Sequence, residues 1–472
     1  MTTVERSSTN PTGAGLFAFS DGLQGELIQP GDEQYEEARR VYNAMIDRRP
    51  ALIVRCASAT DVASAVTYAR ANGLNVAIRS GGHNGAGLGT CDNGLVIDLA
   101  PMKDIHVDAL ARTARVQAGC TWADVDGATH ASGLATPSGI LSTTGVGGLT
   151  LGGGHGYLTR RFGLTIDNLL GAEVVLADGR LVKASADENA DLFWALCGGG
   201  GNFGVVTAFT FRLHPVHTVI GGPTLWPLEQ GREVMRWYRD FIKEAPESLY
   251  GWLGFHTIPP VELFPQELHL QKMCFAVWCY VGPADEAEAA LQPVRETIPP
   301  ALYGIQAMPY PALQKAFDWV YPPGLQWYWK ADFMRELPDE AIERHLEFAR
   351  CLPTLHSTMH LYPINGAVHG VERHDTAFSY RDVTWSQVIV GVDPDPANVD
   401  RAKSWAIDYW EALHPYSAGG GYVNFMMEEG QERVQATYRD NYERLARIKA
   451  RYDPDNFFHV NQNIRPAPEI SA

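Results

Sequence analysis

The chain has 472 residues, 45% of them hydrophobic and 20% charged, with a net charge of −17. That length exceeds one ordinary core and calls for two domains, or one domain with a large insertion. The acidic balance argues against nucleic acid or an anionic membrane surface as a partner, and no stretch approaches the ~18 uninterrupted apolar residues of a membrane-spanning helix.

The first 30 residues are polar and rich in Gly, Ser and Thr, and read as a flexible arm. They show no basic stretch followed by an apolar core, so a cytoplasmic location is expected. A strand is predicted within Arg49–Arg55. Ser58 is placed to cap a helix, with Asp61 three positions on. Val62, Ala65, Val66 and Ala69 follow at helical spacing, and Gly73 ends the run. The next strand is Val76–Arg79. This strand–helix–strand unit delivers the loop Ser80-Gly-Gly-His83-Asn84 at a strand end, the usual ligand position of an α/β arrangement. Gly94–Leu99 and Thr113–Ala118 are strand-like. Glu173–Val182 is a hairpin signal turning at Asp178-Gly179. Val205–Leu213 is a further strand closed by Pro215, after which tryptophan, proline and longer helical patterns become frequent. The last strong pattern places Tyr438, Tyr442, Leu445, Ile448 and Tyr452 on one helical face. The seven cysteines are odd in number, scattered and without a CxxC pair, and read as buried reduced thiols.

Three glycine tracts dominate the first half: Ser80–Asn84, Gly145–Gly156 and Gly198–Gly204. Glycine lets backbone approach a neighbour closely. Three such tracts suggest a large, flat, phosphate-bearing ligand touched by backbone along its length, with phosphates held by N–H groups in nest-like concavities. No net positive charge is needed for that. Gly199–Gly204 is a literal GxGxxG, but a dinucleotide-binding turn needs a strand before it and a helix after it. Here helix-like Leu192–Leu196 precedes and strand-like Val205–Leu213 follows, which rejects the Rossmann reading. No metal-ligand cluster is visible.

Four segments together resemble a known family: Arg79-Ser-Gly-Gly-His83, Gly145–Gly154, Gly198–Val206, and Asn441–Leu445 with Asp453-Pro-Asp-Asn456 and Asn461-Gln462. In this order they are similar to the berberine-bridge-enzyme-like FAD-linked oxidases of the vanillyl-alcohol-oxidase fold. The resemblance covers about residues 35–466. It implies an α+β protein: a PCMH-type FAD-binding domain at 31–215, a substrate domain at 216–425 whose antiparallel sheet roofs the flavin with helices behind it, and a segment at 426–472 returning to the FAD domain. It implies FAD bound covalently through His83 to the flavin 8α carbon. The position of a second, cysteinyl link in many relatives is Leu141 here, so a single link is expected. His155 is the alternative histidine, read as structural. Cys197 stands where many relatives have arginine.

The resemblance further implies FAD contacts from Arg79, Ser80, Gly81, Gly82, Asn84, Gly119, Gly139, Thr143, Thr144, Gly145, Gly148, Gly152, Gly154, Gly156, Gly204, Val206, Asn424, Asn461 and Asn463. The position that gates oxygen in relatives is Thr144, whose small side chain points to an oxidase that uses O2. A dehydrogenase passing electrons to a quinone-like acceptor is the alternative, and a non-catalytic ligand binder the third reading. The donor is expected to be a small organic molecule: an alcohol, sugar, phenolic or amine-like compound.

A donor that loses hydride to the flavin also needs a base for its O–H or N–H proton. Period-2 alternation puts His356, Thr358, His360 and Tyr362 on one strand face. Tyr422-Val-Asn424-Phe425 resembles the family's Tyr-x-Asn-Tyr motif with its second tyrosine replaced. Tyr422 and His360 are therefore the candidate bases, and His356, Thr358 and Tyr362 candidate substrate contacts. The aromatic stretch Phe317–Trp329 reads either as a substrate platform or as core packing.

Overall fold

The computed structural model describes residues 14–468, in three larger sheets and a two-stranded one that pairs Leu134–Ala135 with His214–Pro215. The first sheet has the order Glu26–Ile28, Leu52–Arg55, Leu95–Asp98, Val76–Arg79. Its last three strands run parallel and the first pairs antiparallel to Leu52–Arg55. The helix Ala59–Ala71 makes the crossover, with the Asp61 amide donating to the Ser58 hydroxyl at 3.2 Å. The buried Asp61 carboxylate also accepts the backbone N–H groups of Gln24 (2.9 Å), Gly25 (3.0 Å) and Ala57 (2.8 Å). This corrects the flexible-arm expectation for residues 14–30, which contain the helix Ala14–Asp21 and the paired strand Glu26–Ile28. A buried carboxylate collecting three donors orders that segment despite its polar composition. Residues 1–13 of the expected arm lie outside the described residues.

The second sheet is antiparallel: Ile105–Asp108, Thr113–Gln117, Val205–Arg212, Leu169–Val175, Leu181–Ser185. One apolar core, including Val54, Val66, Ile97, Val116, Trp122 and Phe209, fills the space between it and the first sheet. Six cysteines are buried and none is paired; Cys351 is exposed, against the expectation.

The third sheet has eight antiparallel strands. Its centre runs Thr218–Pro227, Lys272–Tyr280, Leu249–Thr257, Thr358–Pro363, Trp385–Asp393, Gln326–Met334. Alternation sorts its side chains. Leu253, Met359, Leu361 and Ile389 face the helices Gly231–Glu244, Asp339–Arg350 and Val399–Leu413. Trp252, Tyr362, Val388 and Val390 face the other way, towards Tyr42 and Tyr157 of the first half. Each fully buried large apolar side chain in these layers contributes roughly 1.5–3 kcal/mol.

The C-terminal helix Asn441–Tyr452 pins the third glycine tract. Lys449 is fully buried and donates to the Asp453 carboxylate (2.7 Å) and to the carbonyls of Asn202 (2.6 Å) and Phe458 (2.8 Å). Tyr438 does not share this helix, contrary to the periodicity. It ends the preceding helix Gln431–Tyr438, and Arg439, with φ 48°, breaks the chain between them.

Candidate active site

Between the glycine tracts and the third sheet lies a cavity of about 310 Å³. Its floor is backbone. The Ser80–Asn84 loop, Gly145, Gly147 and Gly148 of the second tract, and Gly200–Asn202 with Gly204 of the third all line it. The first two tracts touch glycine to glycine. A Cβ on Gly81 would stand 2.4 Å from the Gly145 nitrogen, and one on Gly145 would stand 2.2 Å from the Gly81 nitrogen. Gly82 adopts φ +70°, which an L side chain resists. Both features expose peptide edges, not side chains, to the cavity.

His83 stands at the end of this floor with one side open to the cavity. Its ring stacks on Tyr42, centroids 4.2 Å apart and planes at 21°. Burial pushes its pKa down to about 4, with a backbone hydrogen bond to Thr143 pulling the other way. The imidazole is therefore neutral and keeps a nucleophilic lone pair. Tyr42 also ties floor to roof: its hydroxyl donates to the Tyr321 carbonyl at 2.7 Å.

The roof is side chains. Trp327 and Trp329, Thr358, His360 and Tyr362, and Val388 and Val390 reach the cavity as alternate residues of three adjacent strands. His360 is 4% exposed and holds tyrosines on both nitrogens. The Tyr321 hydroxyl lies 3.0 Å from Nε2 and the Tyr362 hydroxyl 2.6 Å from Nδ1.

Comparison with known proteins identifies the floor. A family model described as an FAD binding domain matches residues 50–185. Another, described as berberine and berberine like, matches residues 421–465. An FAD-linked oxidoreductase of Dictyostelium discoideum is 32% identical over 95% of this chain and 96% of its own length. The (R)-6-hydroxynicotine oxidase of Paenarthrobacter nicotinovorans is 30% identical over 94% of this chain and 97% of its own. The crystal structure of 6-hydroxy-D-nicotine oxidase from Arthrobacter nicotinovorans superposes with a TM-score of 0.85 at 28% identity, covering 94% of this chain and 99% of that one. The chain belongs to the berberine-bridge-enzyme-like FAD-linked oxidoreductases.

The residues of this oxidoreductase fit its cofactor. Glycines 148 and 201 line the cavity and would meet nothing within 4 Å of an added Cβ, so peptide faces stand free there. Asn461 also lines it, with a buried Oδ1 that has no hydrogen-bond partner among the described residues. Arg79 is already paired with Asp98 at 2.8 Å, so among the described lining residues backbone amides, not an unpaired cation, would meet phosphate.

The expected FAD contacts divide into two groups. Arg79, Ser80, Gly81, Gly82, Asn84, Gly139, Thr144, Gly145, Gly148, Gly204, Val206, Asn424 and Asn461 line the cavity; Gly119, Thr143, Gly152, Gly154, Gly156 and Asn463 do not. Protein, not ligand, requires most of the latter glycines. A Cβ would stand 1.8 Å from the Leu99 carbonyl oxygen at Gly119, 2.2 Å from the Asn424 amide oxygen at Gly152, 2.1 Å from the Thr165 hydroxyl at Gly154, and 2.4 Å from the Ser138 carbonyl oxygen at Gly156. Thr143 acts through its backbone on His83.

The expected bases also change. The Tyr422 hydroxyl accepts from the Gly154 amide (2.9 Å) and the Asn424 side-chain amide (2.8 Å), which occupies both lone pairs. Tyr422 thus holds the second tract in place. His360 lines the cavity, but both its nitrogens are engaged by tyrosine hydroxyls. His356 precedes the strand, which starts at Thr358, and stands outside the cavity lining, so alternation never applies to it. His155 is 4% exposed among Tyr362, Tyr422 and Phe425, with neither nitrogen bonded among the described residues. Sequence reasoning missed Tyr42, Val388 and Val390. No local signal marks Tyr42, whose partner Tyr321 is 279 positions away. In the stretch Phe317–Trp329, Tyr321, Trp327 and Trp329 line the cavity while Phe317 packs on Trp252.

Proposed function

We propose that this enzyme is an FAD-dependent oxidase of a small, uncharged organic donor, with the flavin linked through His83 alone and O2 as electron acceptor. FAD supplies the acceptor of hydride from a donor C–H bond. The observation that carries the reading is the placement of His83, stacked on Tyr42 at the end of a glycine floor, in the cavity that Tyr362 also lines. A neutral imidazole is the form able to bond to carbon, and Tyr42 fixes its plane. Leu141 lines the same cavity and has no atom able to form a second link.

The substrate side favours an uncharged donor. Tyr321, Trp327, Trp329, Tyr362, Val388 and Phe425 offer no carboxylate for an ammonium ion and few partners for a polyhydroxylated sugar. Burying an unpaired charge, or a hydroxyl left without a partner, costs too much for either to bind well there. The small Thr144 side chain at the cavity wall supports access for oxygen.

Acid precipitation of the purified protein, beside His83→Ala, tests this reading. Flavin retained in the wild-type pellet and released from the variant is the expected result. Flavin released from wild type removes the covalent link, and flavin retained by the variant moves the link to another residue, His155 first. Hydrogen peroxide formed in step with donor oxidation tests the acceptor.

A further inference from the structure

His360 is the one imidazole of the roof with a tyrosine hydroxyl on each nitrogen. Neutral imidazole has one donor and one acceptor nitrogen, so the two contacts must differ in direction. The distances separate them. The 2.6 Å contact at Nδ1 suits a phenol O–H donating to nitrogen, while 3.0 Å at Nε2 is the usual length of N–H···O. Thr358, on the same roof strand, donates its own proton to the Phe255 carbonyl at 2.8 Å, so its oxygen is left to accept. The two distances together give one direction: Tyr362 O–H to His360 Nδ1 and His360 Nε2–H to Tyr321. Trp252, with ring centroids 4.6 Å from His360, and Phe275 at 6.0 Å confine the imidazole. Burial holds the His360 pKa well below the usual imidazole range, with His256 pushing the same way, so the resting ring is neutral with Nδ1 free to accept.

Resting on the FAD-oxidase reading, we propose that Tyr362 is the base that meets the donor and that His360, acting through it, takes up the proton. For an alcohol donor the balance is complete. The O–H proton passes to the Tyr362 oxygen as the Tyr362 proton passes to His360 Nδ1. The C–H electron pair leaves as hydride to FAD, and the carbon–oxygen bond becomes a carbonyl. Carbon loses two electrons, which FAD gains. The new imidazolium keeps its Nε2–H on Tyr321, and its positive charge offsets the negative charge that hydride adds across the cavity. Return of that proton and the hydride to O2 gives hydrogen peroxide and restores the neutral relay. Tyr362 is the catalytic residue; His360 and Tyr321 are positioning residues.

The test uses the flavin-loaded protein with 15N-labelled histidine. His360, assigned by the signal lost in His360→Asn, is expected as the Nε2–H form with Nδ1 unprotonated. The Nδ1–H form would overturn the relay, because Tyr362 would then point its proton at the donor. Asn keeps an acceptor for Tyr362 near the Nδ1 position but cannot take a proton. With benzyl alcohol as probe in anaerobic stopped flow, His360→Asn and Tyr362→Phe should each slow flavin reduction by about 10²–10⁴-fold. Flavin content and dithionite reduction should not change. A His360→Asn variant as fast as wild type would also overturn the proposal. If benzyl alcohol reduces no form of the enzyme, the tautomer decides alone. A wild-type protein without flavin would instead defeat the FAD-oxidase reading and leave the tautomer to be judged by itself.

Discussion

The floor and the roof of the cavity are built on opposite principles. The floor presents peptide groups from three glycine tracts packed so closely that Gly81 and Gly145 exclude any Cβ. The roof presents Trp, Tyr, His and Val side chains from alternate positions of a flat antiparallel sheet. A backbone floor suits one invariant ligand, because its shape depends on conformation and tolerates no side chain. A side-chain roof can be changed residue by residue without moving a strand. The contrast teaches that cofactor identity belongs to the floor and donor choice to the roof.

The harshest way to break this comparison is to put a side chain into the floor. Gly145→Ala drives its Cβ to 2.2 Å from a backbone nitrogen that has no room to move. Overpacking of that kind costs about 1–3 kcal/mol, and a clash with backbone lies at the upper end. Colourless or insoluble protein is expected, read by flavin absorbance and yield; a yellow protein of normal Tm would show that the tracts need not touch.

Next is the buried pair beneath the third tract. Lys449→Ala strands the Asp453 carboxylate and frees the carbonyls of Asn202 and Phe458. Removing one partner of a buried pair costs about 3–5 kcal/mol. Denaturant unfolding should show that loss, with a lower flavin content in the purified variant.

Tyr422→Phe sharpens the distinction between holding the floor and serving the roof. It leaves the buried Gly154 amide without its acceptor, a cost of about 1–3 kcal/mol. Stability should fall while the rate of flavin reduction falls far less than in Tyr362→Phe. A rate loss equal to that of Tyr362→Phe would return Tyr422 to the role of base.

The seam between the halves gives the mildest effect. Asp126, on Trp122–His130, is raised to about 7 by burial, although Gln314 on Tyr310–Lys315 donates to it at 3.3 Å. A carboxyl raised in the folded state binds its proton there while the unfolded chain has already lost it. Its contribution is therefore greatest near pH 4 and is lost as pH rises through 7. Asp126→Asn should leave Tm unchanged near pH 4 and raise it by a few degrees at pH 8. An equal change at both values would show that Asp126 does not titrate across that range.

How much could be read in advance followed the same division. The floor was legible because its signals are local. Ser58 and Asp61 start the crossover helix, and His83 sits in its loop. Even there the reason for a glycine was not legible: Gly152, Gly154 and Gly156 make room for Asn424, Thr165 and Ser138. The roof was legible only as far as alternation carries. Period 2 put Thr358, His360 and Tyr362 on one face but extended it to His356, which precedes the strand.

The sequence by itself determined the FAD-binding character, the order of floor elements and the histidine that lines the cavity. Those properties arise from tracts whose chemistry is local: glycine for close approach, a cap for a helix start, alternation for a strand. Only the tertiary structure decided which polar groups face the cavity and which face one another. His360, Tyr321 and Tyr362 form their relay from two separate segments, and Tyr42 reaches the site from a third. Hydrogen-bond direction and burial depend on neighbours that only folding assembles, and no spacing along the chain encodes them.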